Sequence, residues 1–156
     1  MRLADVLREE RILVDAGGER ARDKRDVLRV LASLLAPTVG GDEDDLLRWF
    51  AERETLQSTG IGDGVAIPHT SSELATQQAA ALLLFPRGIP FDSIDGKDCT
   101  IVFGVVGPKR AAGEHLRLLA RISRLLRNPE TRRALVACTS SGAALRLITA
   151  QDGAEG

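Results

Sequence analysis

His69 and His115 are the entire imidazole supply of this 156-residue chain. Any nucleophile, general base or ligand that needs imidazole must therefore be one of them. With an ordinary pKa of about 6.5, a histidine near neutral pH presents an unprotonated ring nitrogen without needing a second base beside it. The two thiols, Cys99 and Cys138, are far apart and form no CxxC pair. With no HExxH either, the chain offers no metal-ligand pattern, and no metal is expected. Two glycine clusters fail as nucleotide motifs. Gly60-Ile61-Gly62-Asp63-Gly64 lacks the third glycine of GxGxxG at its required place and precedes a strand instead of opening a helix. Gly96-Lys97 is followed by Asp98 and has Phe91 where a Walker loop needs its first glycine.

Composition narrows the partners. Twenty-one basic against 22 acidic side chains leave a net charge of −1, which argues against a nucleic-acid binder held by bulk electrostatics. Aromatic residues are 3% of the chain, Trp49 and four Phe with no Tyr, so base-stacking platforms are excluded and the core must be aliphatic. Hydrophobic residues at 44% fit one folded domain of this length. Met1–Val14 is too charged for a signal peptide, and the apolar run Ala79–Phe85 is far short of a membrane span. The expectation is a cytoplasmic protein with free thiols, no membrane insertion and no cofactor.

The elements that must position the histidines follow from periodicity. A short helix is expected at Arg2–Arg8, then a strand at Arg11–Asp15 closed by Gly17-Gly18. Asp23 reads as a helix cap, and Val27, Leu28, Leu31, Leu34 and Leu35 repeat at helical spacing until Pro37 stops them. Asp42–Asp45 place negative charge at the start of a second helix carrying Leu46, Leu47 and Phe50. Ser58–Gly64 reads as a loop before a strand at Val65–Ile67. Ala79–Phe85 and Thr100–Val106 read as buried strands ended by Pro86 and Pro108, with Phe85 and Phe103 in the core. Helices are expected at Glu114–Arg127, Pro129–Cys138 and Gly142–Ala150. Alternating strands and helices imply a single α/β domain, with a mixed, mostly five-stranded sheet flanked by helices on both faces. It spans residues 1–152, with a flexible tail at 153–156.

The stretch from Arg53-Glu54 through Ser58-Thr59-Gly60 to Ile67-Pro68-His69 carries the most specific signal. In this order the string resembles the enzyme IIA domains of fructose/mannitol type from the bacterial phosphoenolpyruvate-dependent phosphotransferase system, and among them the stand-alone nitrogen-regulatory proteins. The resemblance continues through Glu114-His115-Leu116 to about Ala150. It implies that His69 is phosphorylated, as a tele-phosphohistidine, and that His115 and Arg53 complete the site. It also implies a histidine-phosphocarrier protein as donor, and as acceptor or target an enzyme IIB or a regulated transporter or kinase.

The chemistry suits the residue types. A P–N bond keeps a high transfer potential, and phosphoryl transfer asks the protein mainly for positioning and charge stabilisation. Arg53 offers a planar fork to phosphate oxygens, although an arginine at a helix end is otherwise a solvated charge. His115 shares a stripe with Leu118, Leu119 and Ile122, which fits a core histidine equally well; at a helix start it can also meet an anion. Ser58 and Thr59 read either as phosphate contacts or as turn formers. The absence of a fused IIB or membrane domain on these residues favours a regulatory phosphocarrier. The alternatives are a sugar-transport enzyme IIA that donates to a IIB cysteine, and a non-catalytic binding regulator of the same fold.

Overall fold

A computed structural model describes residues 1–155. After a 3-10 turn at Leu3–Asp5 the elements are β1 Leu7–Val14, α1 Lys24–Val39, α2 Glu43–Leu56, β2 Gly60–Gly62, β3 Val65–Ala66, β4 His69–Ser72, β5 Ala79–Ile89, β6 Cys99–Pro108, α3 Ala112–Leu126, α4 Pro129–Val136 and α5 Ser141–Glu155. The strands form one mixed six-stranded sheet in the order β1-β5-β6-β3-β2, with β4 also pairing to β6. β5 and β6 are antiparallel; β1 runs parallel to β5, β3 and β4 parallel to β6, and β2 antiparallel to β3. β3 and β4 lie end to end on one flank of β6, opposite Ile101–Val102 and Val105–Pro108. The sheet is thus five positions wide but has six strands. The sixth, β4, begins at His69, just beyond the strand expected at Val65–Ile67.

Period-two alternation decides where the core lies. Along β5, Ala79, Ala81, Leu83 and Phe85 face one apolar cluster with Leu31 and Leu35 of α1 and Phe50 of α2. Ala80, Leu82 and Leu84 face a second cluster with Leu118 and Ile122 of α3, Leu135 of α4 and Ile148 of α5. Phe103 belongs to the second, so both central strands are covered on both faces, and they read as continuous apolar runs for that reason. α1 packs close to the sheet at Gly104, where a Cβ would stand 2.6 Å from Leu31 Cδ2.

Local signals set most helix starts. The Asp23 carboxylate accepts from Asp26 N at 2.9 Å, Asp42 from Asp44 N at 2.6 Å, and Asn128 from Glu130 N at 2.9 Å. Four expectations need correction. Only Leu3–Asp5 is helical near the N-terminus, and the strand begins at Leu7, because Leu7 pairs with Ala80 across an irregular register before Ile12. Pro37 lies inside α1, which ends at Gly40 in the left-handed region (φ 64°); in the last turn a proline costs only one backbone bond. Pro86 does not end β5, which continues to Ile89 beyond a register shift. The glycine run 60–64 is a hairpin, β2–β3, turned by Gly62, Asp63 and Gly64, all at positive φ. At the C-terminus α5 runs to Glu155, and Gly156 of the expected tail lies outside the described residues.

Candidate functional site

His69 stands at the break between β3 and β4, half-buried on the flank of β6. Ile67 and Pro68 bridge that break, and Pro68 O accepts from Val105 N at 3.0 Å. The turn places His69 Nδ1 2.8 Å from the carbonyl of Ile67. A carbonyl can only accept, so Nδ1 carries the proton and Nε2 holds the free lone pair. Burial is the largest influence on this ring and lowers its pKa below 6.5; the bond to Ile67 opposes that, and the nearby Arg53 charge adds to it. His69 is therefore neutral at neutral pH, with Nε2 as its nucleophilic atom.

A chain of hydrogen bonds holds that turn. Ile67 N donates to Thr59 O at 3.0 Å. Thr59 N in turn donates to both oxygens of the Glu54 carboxylate, at 3.2 and 3.1 Å, and the Thr59 hydroxyl donates to Glu54 Oε1. Glu54 is 8% exposed and pairs with Lys24 Nζ at 2.7 Å. The start of α1, the end of α2 and the 57–60 loop are thereby tied to the carbonyl that orients His69. Ser58 belongs to the same loop. Its hydroxyl donates to Phe91 O at 3.0 Å and accepts from Gly60 N at 3.0 Å. Both hydroxyl protons are committed within the protein, which supports the turn-forming reading of Ser58 and Thr59.

His115, in the first turn of α3, brings its ring close to that of His69. The two ring centroids are 5.9 Å apart, tilted by 54°. Burial lowers the His115 pKa, with a smaller contribution from His69. Arg53 is in the last turn of α2, where Nη1 donates to Gln57 O at 3.0 Å. It lines an open cleft along β4 together with Thr70, Ser71, Glu73 and Lys109. The structure thus brings His69 and His115 together and sets Arg53 near enough to act on His69 electrostatically. Among the described residues no group of three or more His, Cys, Asp or Glu is arranged to hold a metal ion.

Sequence reasoning missed three contributors. Glu54 was legible in principle, since an acid in the last turn of a helix opposes the dipole and needs a compensating reason. Lys109 follows β6 directly and reaches the cleft only because β4 pairs with the end of β6. Gln78, whose Oε1 lies 2.8 Å from His115 Nδ1, left no local signal.

Fold and sequence place the chain in a class of single-domain α/β proteins described as phosphoenolpyruvate-dependent sugar phosphotransferase system, EIIA 2, whose family model matches residues 5–151. The chain belongs to this family. It is 33% identical over 130 residues to a nitrogen regulatory protein of Bradyrhizobium diazoefficiens, covering 83% of each chain. With a nitrogen regulatory protein of Pseudomonas aeruginosa it shares 30% identity over 149 residues, 95% of each. The crystal structure of nitrogen regulatory protein IIA-Ntr from Neisseria meningitidis superposes with a TM-score of 0.85 at 27% identity, over 93% of this chain and 97% of that one. The complex of enzyme IIAMtl with phosphorylated enzyme IIBMtl from Escherichia coli, at 19% identity and a TM-score of 0.74 over 93% of this chain and 99% of that one, shares the fold.

Proposed function

We propose that the chain is a phosphocarrier in which His69 Nε2 takes a phosphoryl group from a histidine-phosphocarrier protein. The donor's P–N bond breaks as the His69 Nε2–P bond forms, and the donor imidazole leaves with the bonding pair. Nδ1 keeps its proton on the Ile67 carbonyl throughout, so no proton has to leave His69 for the bond to form. The observation that carries this reading is the 2.8 Å contact between Nδ1 and Ile67 O, which leaves Nε2 bare on a neutral ring. Arg53 and Lys109 supply positive charge beside a group whose negative charge spreads over its equatorial oxygens. His115 donates to one of those oxygens through Nε2. Ser58, Thr59 and Glu54 act by holding the loop.

The proposed output is regulatory: the phosphorylation state of His69 governs binding to a transporter or kinase in the cytoplasm. The relatives matched over most of both chains, named nitrogen regulatory protein, support this. A second reading, donation to a IIB cysteine in sugar uptake, draws support from the fructose-specific EIIABC component of Bacillus subtilis. That relative is 28% identical over 97% of this chain, although only 24% of its own length is matched. Incubation with phosphoenolpyruvate, enzyme I and a histidine phosphocarrier should give an acid-labile phosphate that His69→Ala abolishes; no label on the wild-type chain sinks the carrier reading. Deletion separates the outputs. Loss of growth on one sugar supports transport, and altered nitrogen or potassium responses with intact sugar growth support regulation.

A further inference from the structure

Gln78 sits immediately before β5 with a side chain that is almost wholly buried, at 3% exposure. A long polar amide needs a reason to be there. Its Oε1 meets His115 Nδ1 at 2.8 Å. Its Nε2 is buried and has no hydrogen-bond partner among the described residues. Burying an unpartnered donor is unfavourable, so the amide is retained for what its other end does.

The backbone makes room for it. In the antiparallel ladder Ala79 faces Val106, which puts Gln78 across from Gly107. A Cβ on residue 107 would fall 2.1 Å from Gln78 Oε1 and 2.4 Å from its Cδ, so any side chain there would evict the amide. Gly107 also pairs with Ser71 of β4, two residues after His69. The glycine and the glutamine together form a slot between the strand that carries His69 and the helix that carries His115.

We propose that Gln78 is the positioning residue of His115: seated in the slot left by Gly107, its amide oxygen accepts the Nδ1 proton, fixes the ring's orientation and tautomer, and reserves Nε2 for the phosphoryl group on His69. The proposal rests on the carrier reading for its purpose but not for its geometry. The arrangement mirrors that of His69, whose Nδ1 proton is held by Ile67 O. In both rings an oxygen lies against Nδ1, which leaves Nε2 as the free nitrogen of each ring. A neutral His115 in this tautomer has a bare Nε2. It meets the incoming phosphoryl charge by taking one proton from solvent, and the Gln78 oxygen favours the resulting imidazolium by accepting from its other N–H.

The test is a long-range proton–nitrogen correlation spectrum of the full, unphosphorylated chain labelled with nitrogen-15. It is recorded at about pH 8, above the ordinary imidazole range. The expected result is the Nδ1–H tautomer at His115 in the wild type and in Gln78→Glu, whose carboxylate also accepts. Gln78→Met, of similar length but without an acceptor, should shift His115 toward the Nε2–H form. An Nε2–H tautomer at wild-type His115, or an unchanged tautomer in Gln78→Met, overturns the proposal. Absence of phosphoryl uptake by the wild type would instead strike the carrier reading and leave the tautomer result standing.

Discussion

The Nδ1–H of His69 is bonded to a backbone carbonyl, a partner that no side-chain substitution can remove and no pH change can protonate in the working range. Its consequence appears in the pH profile. Because burial holds the His69 pKa below 6.5, phosphoryl uptake should fall as pH is lowered with a midpoint below 6.5. Stopped-flow or quench kinetics with phosphorylated donor in excess would read this, and a midpoint at or above 6.5 would contradict it. Arg53 can be tested at the same scale. Arg53→Lys keeps the charge but loses the fork, and uptake should slow by about 10- to 100-fold. An unchanged rate would mean that the guanidinium makes no phosphoryl contact.

The short elements around His69 are fixed by tertiary bonds rather than by propensity. β2 is Gly-Ile-Gly and β3 only two residues long, and neither has the β-branched run that marks a strand. They exist because Gly64 O accepts from Thr100 N at 2.8 Å and from Ile101 N at 3.0 Å, and because Thr59 O accepts from Ile67 N. The long, periodic pieces were legible from sequence: α1, α2, α3 and the buried runs of β5 and β6. The pieces that build the site were legible only as a motif, since the loop, the hairpin and β4 depend on partners up to 36 residues away, as with Thr100 and Gly64. Arg53, His69 and His115 could be named in advance, whereas Gln78 and Lys109 needed the packing. Glu54 anchors this region, so Glu54→Ala, which strands the Lys24 charge and the Thr59 amide, should cost about 3 kcal/mol. Urea unfolding would show the loss, and a midpoint unchanged from wild type would refute the anchoring role. Gly104→Ala, in the middle of β6, should cost about 1–3 kcal/mol by overpacking against Leu31. Its effect should vanish in part when combined with Leu31→Ala, and strict additivity in a double-mutant cycle would contradict direct contact.

Across the whole molecule, two cores on either side of one sheet leave the candidate site at a sheet flank, where α2, β4 and α3 converge. The near-zero net charge is consistent with a carrier that meets proteins instead of a polyanion. Global stability should report the two half-buried histidines. Both have folded-state pKa values below the ordinary 6.5. The unfolded chain therefore binds more protons as pH falls below 6.5, and stability should be full above that value and decline beneath it. Replacing both histidines with glutamine should flatten this decline in denaturant titrations between about pH 7 and pH 5; an identical slope in wild type and double variant would contradict it. The most direct measurement for the molecule as a carrier is the site of the P–N bond. The nitrogen-15-labelled chain would be phosphorylated through enzyme I and a histidine phosphocarrier, and phosphorus–nitrogen coupling recorded. The expected result is one phosphoryl group bonded to Nε2 of His69, with Nδ1 still protonated. Coupling to Nδ1, a phosphate on His115, or label persisting in His69→Ala would contradict it.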